Sequence, residues 1–373
     1  MLRNALHLLV LVVSKPLGST LGPDLSGSSQ RNVGFRALKP LLRDHEEFLD
    51  CLVDKLSSAD HALCGNALQL INALLRDSVV NGGEEDWPRF LRRLQELGII
   101  DGVEALMRGD SVKDIAGPIL QFQNLYKILL RRWRGVEVDM DRTEHRKALM
   151  RIYATSFPPG SMRRRGSSRI EQALQGAQIE ESSEERSHVW GRLGFSSENP
   201  AEDFGDAGFL GLMDFVAYVR RDTDAYQKVL LEQGVQQHDL RCPIARASLR
   251  VTAMLYQHLH VEDNETPADD TASAEDLEWI VRPLLLRWDR VHGAALTAFL
   301  RIWSAAGATV REFEKMDDLA RILITRILGG LGRRGTLEDV ERQMSATTLS
   351  TVRKWQLENL DAAFERGWGE DLR

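Results

Sequence analysis

Apolar residues recur along this chain of 373 residues at the spacing of α-helices. Long runs in which apolar and polar residues alternate, as they do in half-buried strands, are almost absent. The segment Ala67–Leu75 is apolar on nearly every side, as in a helix buried within a repeat array. Between residues 46 and 56 a single helical stripe is formed by Phe48, Leu49, Leu52, Val53 and Leu56. The pattern therefore predicts an all-α protein.

The predicted helices fall into three consecutive regions. Paired helices at spacings of roughly 40–55 residues indicate armadillo- or HEAT-like repeats in residues 1–135. Within them, Phe90–Ile100 is predicted to start the next helical unit after Trp87-Pro88, and Gln121–Trp133 is predicted to form an inner helix. Residues 136–310 form a second helical domain, and residues 311–373 form C-terminal helices. Because the internal repeat is weak, an ordinary non-repetitive α-domain is the alternative for the first region.

The N-terminal run Ala5–Val13 follows Arg3 and imitates a signal peptide. No small-residue cleavage site follows it, and the run is too short to span a bilayer. We instead predict a fully buried helix of the repeat array that ends at Pro16. A chain that opens on such a helix is expected to be truncated.

Composition limits the classes of function. Hydrophobic residues make up 43% and charged residues 28% of the chain, as in soluble globular proteins. The net charge of −7 argues against nucleic-acid binding, which favours a basic face. The three cysteines Cys51, Cys64 and Cys242 are scattered and lack CxxC spacing, so we expect a cytoplasmic protein without a disulfide framework, a structural zinc site or a cofactor.

A break in the helical pattern spans about residues 158–187, where prolines, arginines, serines and glutamates replace apolar residues. We predict a mobile loop there. The sequence Arg164-Arg165-Gly166-Ser167 would suit a basophilic kinase, which makes Ser167 a candidate phosphorylation site. A merely solvated loop is the favoured alternative, because such short patterns arise by chance.

Two pieces of candidate chemistry are rejected. Asp203-Phe204-Gly205 matches the magnesium-binding segment of protein kinases, but the upstream catalytic loop, the strand lysine and a β-rich lobe are missing. His258 and His260 would diverge by about 200° on a helix, so they cannot share a metal ion there. The sequence predicts neither a catalytic nor a metal site.

The most informative block is Trp190–Gln233. Asn199-Pro200 interrupts the chain there, and Asp203 is placed to cap a helix. The following helix is predicted to bury one apolar face, formed by Phe209, Leu212, Met213, Val216 and Val219.

This block resembles the signature of the ELMO (engulfment and cell motility)/CED family. The resemblance implies an α-helical ELMO domain in residues 136–310, preceded by armadillo-like repeats. It also implies that residues 311–373 lead towards a PH domain. The family positions, expected to act in structure or interaction, are Trp190, Leu193, Gly194, Phe195, Pro200, Asp203, Phe204, Gly208, Leu212, Tyr226, Cys242 and Pro243.

The scaffold branch of the family implies a non-catalytic role. Its members bind a DOCK-type guanine-nucleotide exchange factor and act on a Rac/Rho GTPase in actin remodelling. Recruitment to membranes would then occur through partners. An α-solenoid adaptor with an unrelated partner is a further alternative.

An enzyme is the main rival hypothesis. Short ELMO-domain proteins resemble one another in an Asp-Phe-Arg-Gly segment, whose arginine implies GTPase activation on Arf-like GTPases. Here Gly205, followed by Asp206, stands at the arginine position. Arg192, Arg220 and Arg221 are nearby, but their spacing does not support a replacement role.

Overall fold

The computed structural model describes residues 2–14, 47–81, 86–157, 190–197, 199–263 and 280–371. Within these ranges the chain forms α-helices joined by turns and short 3-10 helices, and no strand occurs among them. The all-α prediction is therefore confirmed. The predicted loop at residues 158–187 and the candidate site Ser167 lie outside the described residues.

Contacts divide the chain into two compact units, which are described separately. Unit 1 comprises Met1–Leu129 with Asp263–Leu286, and unit 2 comprises Leu130–Glu262 with Arg287–Arg373. No helix in the described ranges is long and apolar enough to cross a membrane. The domain boundaries at residues 135 and 310 stay predictions, as does the assignment of armadillo-type repeats.

Unit 1 is built around one long helix, α3, which contacts α1, α2 and α4. The predicted burial of Ala67–Leu75 is confirmed, because Leu68, Ile71 and Leu75 are fully buried. The helices of this part of the chain are α1 (Leu2–Ser14), α2 (Glu47–Asp54), α3 (His61–Asn81), α4 (Asp86–Glu96), α5 (Ile99–Arg108) and α6 (Ala116–Gly135), the last of which continues into unit 2.

Polar side chains join the elements of unit 1. Asn72 on α3 donates from Nδ2 to the carbonyl oxygen of Pro118 on α6 at 2.8 Å. Gln123 on α6 donates to the carbonyl oxygen of Ile280 at 2.9 Å and accepts from the Arg282 amide at 2.8 Å. These bonds satisfy buried backbone groups of the returning segment, which would otherwise be costly to bury.

Helix α1 corrects the prediction that it is buried on every side. Leu6, Val10 and Val13 face the core, but Leu8 is 62% exposed. Among the described residues α1 packs on α3 with one face, and Leu8, Leu11 and Val12 on its other face are exposed. Pro16, its predicted end, lies outside the described residues.

The segment Phe90–Ile100, predicted to start a helical unit, is divided between two helices. Helix α4 ends at Glu96, and α5 begins at Ile99. Leu97 and Gly98 form the turn between them. The apolar periodicity continues across this turn because residues on both sides of it face the same core. The spacing of hydrophobic residues therefore does not show where one helix ends and the next begins.

Unit 2 contains the remaining helices. Its core is formed by three of them, α8, α10 and α11, which contact one another pairwise. The helices are α7 (Thr143–Thr155), α8 (Gly208–Arg221), α9 (Thr223–Gly234), α10 (Ile244–His258), α11 (Trp288–Ala306), α12 (Phe313–Leu331), α13 (Leu337–Ala346) and α14 (Leu349–Asp371).

A buried carboxyl group joins the three core helices. Asp214 on α8 accepts from Thr252 Oγ1 on α10 at 2.7 Å and from Trp288 Nε1 on α11 at 2.9 Å. Burial raises the pKa of Asp214 from 3.8 to about 8. Its two hydrogen bonds oppose that rise but do not cancel it, and no cation among the described residues pairs with the carboxyl group. The carboxyl group is therefore largely protonated at neutral pH.

A buried histidine lies in the same core. His292 Nε2 is 3.1 Å from the carbonyl oxygen of Ser248, and Nδ1 has no hydrogen-bond partner in the described residues. Burial lowers the pKa of His292 from 6.5 to about 4. The imidazole is thus neutral at physiological pH, with Nε2 as the donor to the Ser248 carbonyl oxygen.

From the shifted pKa values of Asp214 and His292 we expect opposite effects of pH on the free energy of unfolding. The folded pKa of Asp214 lies above the unfolded value, so its contribution is full below pH 4 and is lost as pH rises to about 8. The folded pKa of His292 lies below the unfolded value, so its contribution is full above pH 6.5 and is lost as pH falls to about 4. Between about pH 4 and 6.5 the two effects oppose each other, so urea unfolding at a series of pH values should show a net decline only from about pH 6.5 to 8.

The variant Asp214→Asn removes the titrating carboxyl group and so separates its effect on stability from that of His292. Its amide can accept from Trp288 and donate to Thr252, so we expect stability within about 1 kcal/mol of the natural protein at neutral pH. The decline between about pH 6.5 and 8 should disappear. In contrast, Asp214→Ala leaves buried donors unpaired and should cost about 2–4 kcal/mol. An unchanged decline between about pH 6.5 and 8 in Asp214→Asn would contradict the assignment.

Candidate interaction site

The aromatic residues of the family motif converge in the core of unit 2. Trp190 lies edge-on to Phe195, with ring centroids 5.3 Å apart. Phe195 in turn contacts Phe204 at 5.8 Å and Phe215 at 6.3 Å. All four side chains are buried. Aromatic pairs in such geometries stabilise a core beyond the area they bury.

Tyr226 on α9 closes the other end of this aromatic cluster. Its ring lies edge-on to Phe215 at 6.3 Å, and its hydroxyl is 3.0 Å from Ser156 Oγ at the end of α7. Burial raises the pKa of Tyr226. The residue therefore acts as a neutral hydrogen-bonding anchor between α7 and α9.

Two motif glycines allow backbones to approach closely. A Cβ atom on Gly194 would lie 2.3 Å from Pro243 Cα, which brings two separate parts of the motif together. A Cβ atom on Gly208 would lie 2.0 Å from the carbonyl oxygen of Arg134. Both glycines also have positive φ angles, 85° and 54°. No other residue type fits either position without rearrangement.

The prediction that Asp203 caps a helix is wrong. The N-cap of the 3-10 helix Pro200–Ala207 is Asn199, whose side chain accepts from the Ala201 amide at 3.2 Å. Asp203 instead accepts hydrogen bonds from the backbone amide and the hydroxyl of Ser196. It ties the preceding turn to the 3-10 helix, and α8 begins without a side-chain cap.

The predicted apolar face of α8 needs one correction. Leu212, Val216 and Val219 are buried, but Met213 is 38% exposed. Phe215 takes part in the core instead. Cys242 is also buried, and burial raises the pKa of its thiol. These motif side chains are thus enclosed in the folded domain and do not face a partner.

The exposed part of the motif is the turn Gly205-Asp206. Gly205 has φ 27° and ψ −116°, which interrupts the 3-10 helix. A Cβ atom there would meet nothing within 4 Å. The turn thus lies at the surface, and the position at which GTPase-activating relatives would carry an arginine points to open space.

An arginine from a distant part of the sequence contacts this turn. Arg134, near the end of α6, donates from Nε to the carbonyl oxygen of Asp206 at 2.8 Å and pairs with Glu262 at 3.4 Å. Its guanidinium carbon lies 4.2 Å from the centre of the Tyr256 ring. Tyr256 donates to the same Glu262 carboxylate at 2.7 Å.

These contacts fix the guanidinium group of Arg134 against the domain. Burial and the Glu262 carboxylate raise the pKa of Tyr256 to about 12, so its hydroxyl stays protonated and remains a donor. The contact between Arg134 and Asp206 is not predictable from the sequence, because 72 residues separate them. The basic run at the end of α6 was the only signal that could have drawn attention to it.

Arg221, one of the three arginines near the Gly205 position in the sequence, also forms polar contacts. It pairs with Glu341 on α13 and donates to the carbonyl oxygen of Arg290 at 3.3 Å. Arg290 reaches the same Glu341 carboxylate at 2.9 Å. Arg221 therefore secures α13 to the core. Arg192 is half-buried and Arg220 is exposed.

The all-α fold of unit 2 is the class of fold expected for an ELMO domain. The model of the ELMO/CED-12 family matches residues 128–317, which is half of the chain. The chain belongs to the ELMO/CED-12 family.

Individual relatives are distant. Engulfment and cell motility protein 3 of Mus musculus is 25% identical over 290 residues, covering 75% of this chain and 37% of the relative. The same protein of Bos taurus is also 25% identical, with 41% of the relative covered. ELMO domain-containing protein A of Dictyostelium discoideum is 22% identical over 320 residues, covering 76% of this chain and 30% of the relative. The chain thus spans about two fifths of the mammalian relatives.

The close approach at Gly208 predicts a sharp sensitivity to a single methyl group. Gly208→Ala places a carbon against backbone atoms at a positive φ, so we expect a loss of about 3 kcal/mol or more in the free energy of unfolding. The matched control is Gly191→Ala, where a Cβ atom meets nothing within 4 Å. It should change stability by less than about 1 kcal/mol. Equal effects of the two substitutions in urea unfolding would contradict the assignment.

Proposed function

We propose that this chain is a non-catalytic scaffold or regulatory subunit of a DOCK-type guanine-nucleotide exchange factor. The exchange factor would act on a Rac/Rho-family GTPase in actin organisation, cell motility or engulfment. Membership of the ELMO/CED-12 family supports the class of role, and the names of the mammalian relatives refer to engulfment and motility. We further propose a cytoplasmic location, with recruitment to membranes through partners.

The observation that carries the non-catalytic part of the proposal is the Gly205 turn. GTPase activation by an arginine requires a guanidinium group that can reach the transferred phosphoryl group. Gly205 supplies none, and the nearby Asp206 would repel phosphate. Arg134 is held by Asp206, Glu262 and Tyr256. Extending it towards a nucleotide would require breaking all of these contacts.

Association with the exchange factor is tested by affinity purification of the full chain from its native cell. We expect a DOCK-type protein or a Rho-family GTPase to copurify with the natural sequence and with Gly191→Ala. The variant Gly208→Ala, in which the domain is strained, should lose them. Recovery of neither partner class with the natural sequence would contradict the proposal.

A second measurement tests whether the chain changes the activity of the exchange factor. The purified chain is added to a DOCK-type exchange factor and Rac carrying a fluorescent nucleotide. We expect the rate of nucleotide release to change with the concentration of the chain and to stay constant when Gly208→Ala is added. A chain that binds the exchange factor without any effect on this rate would be an adaptor and not a regulatory subunit.

GTPase activation on Arf-like GTPases is the second candidate function, because Arg134 reaches the Gly205-Asp206 turn. Single-turnover GTP hydrolysis by an Arf-like GTPase separates it from the scaffold. We expect no stimulation by the natural chain. Stimulation that is abolished by Arg134→Ala or Arg192→Ala, with Arg220→Ala as the exposed control, would overturn the non-catalytic reading.

A further inference from the structure

The last helix, α14, has apolar residues on its buried face and on an exposed face. Val352 is fully buried against unit 2. Leu357 and Leu360 are 62% and 60% exposed. At about 100° per residue, these two leucines lie next to each other, and Leu357 is about 140° from Val352. The helix therefore packs on its own domain with one face and presents a leucine pair on another.

The orientation of this helix is fixed by contacts with α12. Arg326 donates to Glu358 Oε2 at 3.3 Å and to Asn359 Oδ1 at 3.0 Å. Together with the burial of Val352, these bonds favour the orientation in which the two leucines face solvent. The exposed pair is thus a stable feature of the folded chain.

Opposite charges border the leucine pair. Lys354 and Asp361 are both exposed, and in the part of the chain that the structure describes neither forms an ion pair. They are two helical turns apart, and the directions of their Cβ atoms differ by only about 20°. Leu357 lies midway between them along the helix. The charges thus reverse in sign about a point beside Leu357.

We propose that the leucine pair is a contact between two copies of this chain, with their α14 helices antiparallel. A two-fold axis near Leu357 would place Lys354 of each copy against Asp361 of the other, around a core of four leucines. Such an interface is self-complementary, as closed dimers require. A parallel arrangement would set like charges against each other. This inference is independent of the exchange-factor role.

The interface is small. Two leucines and two charged residues from each copy bury less than the roughly 1,200 Å² of a standard stable interface. We therefore expect weak association, with a monomer–dimer equilibrium that shifts with protein concentration. The ion pairs are exposed to solvent, so added salt should weaken the dimer.

Analytical ultracentrifugation of the full chain over about a hundredfold range of concentration measures this equilibrium. The natural chain should show a growing dimer fraction, and Leu357→Glu/Leu360→Glu should stay monomeric. The matched control is Leu231→Glu on α9, where the leucine is 59% exposed, and it should dimerise like the natural chain. Circular dichroism verifies that all variants are folded. A natural chain that stays monomeric, or a dimer that survives the double substitution, overturns the proposal.

Charge substitutions test the antiparallel arrangement. Lys354→Glu and Asp361→Lys should each raise the dissociation constant by about tenfold, because each juxtaposes like charges in the antiparallel dimer. An equal mixture of the two variants should recover dimerisation. In the mixed dimer, Lys354 again faces Asp361 at one ion pair, and the charges of the two positions are exchanged at the other. In a parallel dimer the single substitutions would have no effect, and that result would also overturn the proposal.

Discussion

The backbone contact between the end of α6 and the start of α8 governs the arrangement of unit 2. Gly208 lies against the carbonyl oxygen of Arg134, and the Phe209 amide donates to the carbonyl oxygen of Val136 at 2.8 Å. With no side chain between them, the two backbone segments determine where α8 enters the core. The same contact brings the turn at Gly205 within reach of the Arg134 side chain. The domain's core and its exposed turn therefore depend on one glycine.

Helical periodicity was sufficient to predict the fold class and most helices, because burial of one face leaves a clear spacing of apolar residues. The burial of individual side chains, which depends on how the helices pack against each other, is not predictable from this spacing. Met213 adjoins the buried Leu212 but is turned towards solvent, and Leu8 is apolar although nothing in the described residues covers it. Hydrophobicity predicts that a residue can be buried; only the packing of other helices decides whether it is.

The motif residues were recognised from a resemblance, but their contacts were not predictable from spacing. Asp203 fits a helix cap by its position, yet its partner is Ser196, seven residues earlier. The fixed position of Arg134 depends on Glu262 and Tyr256, which are remote in sequence. Such contacts join residues that are distant in sequence, so a local sequence pattern does not predict them. This is also why the buried character of the motif emerged only from the structure.

The conformation of Gly205 bears on how the two branches of the family could interconvert. Its φ of 27° with ψ of −116° lies outside the regions that residues with a side chain readily adopt. An arginine codon acquired at this position would yield a strained turn before it yielded a useful guanidinium group. Gain of an arginine here would therefore require the turn to be remodelled first. Backbone geometry, and not only available space, thus limits which side chains this position can acquire.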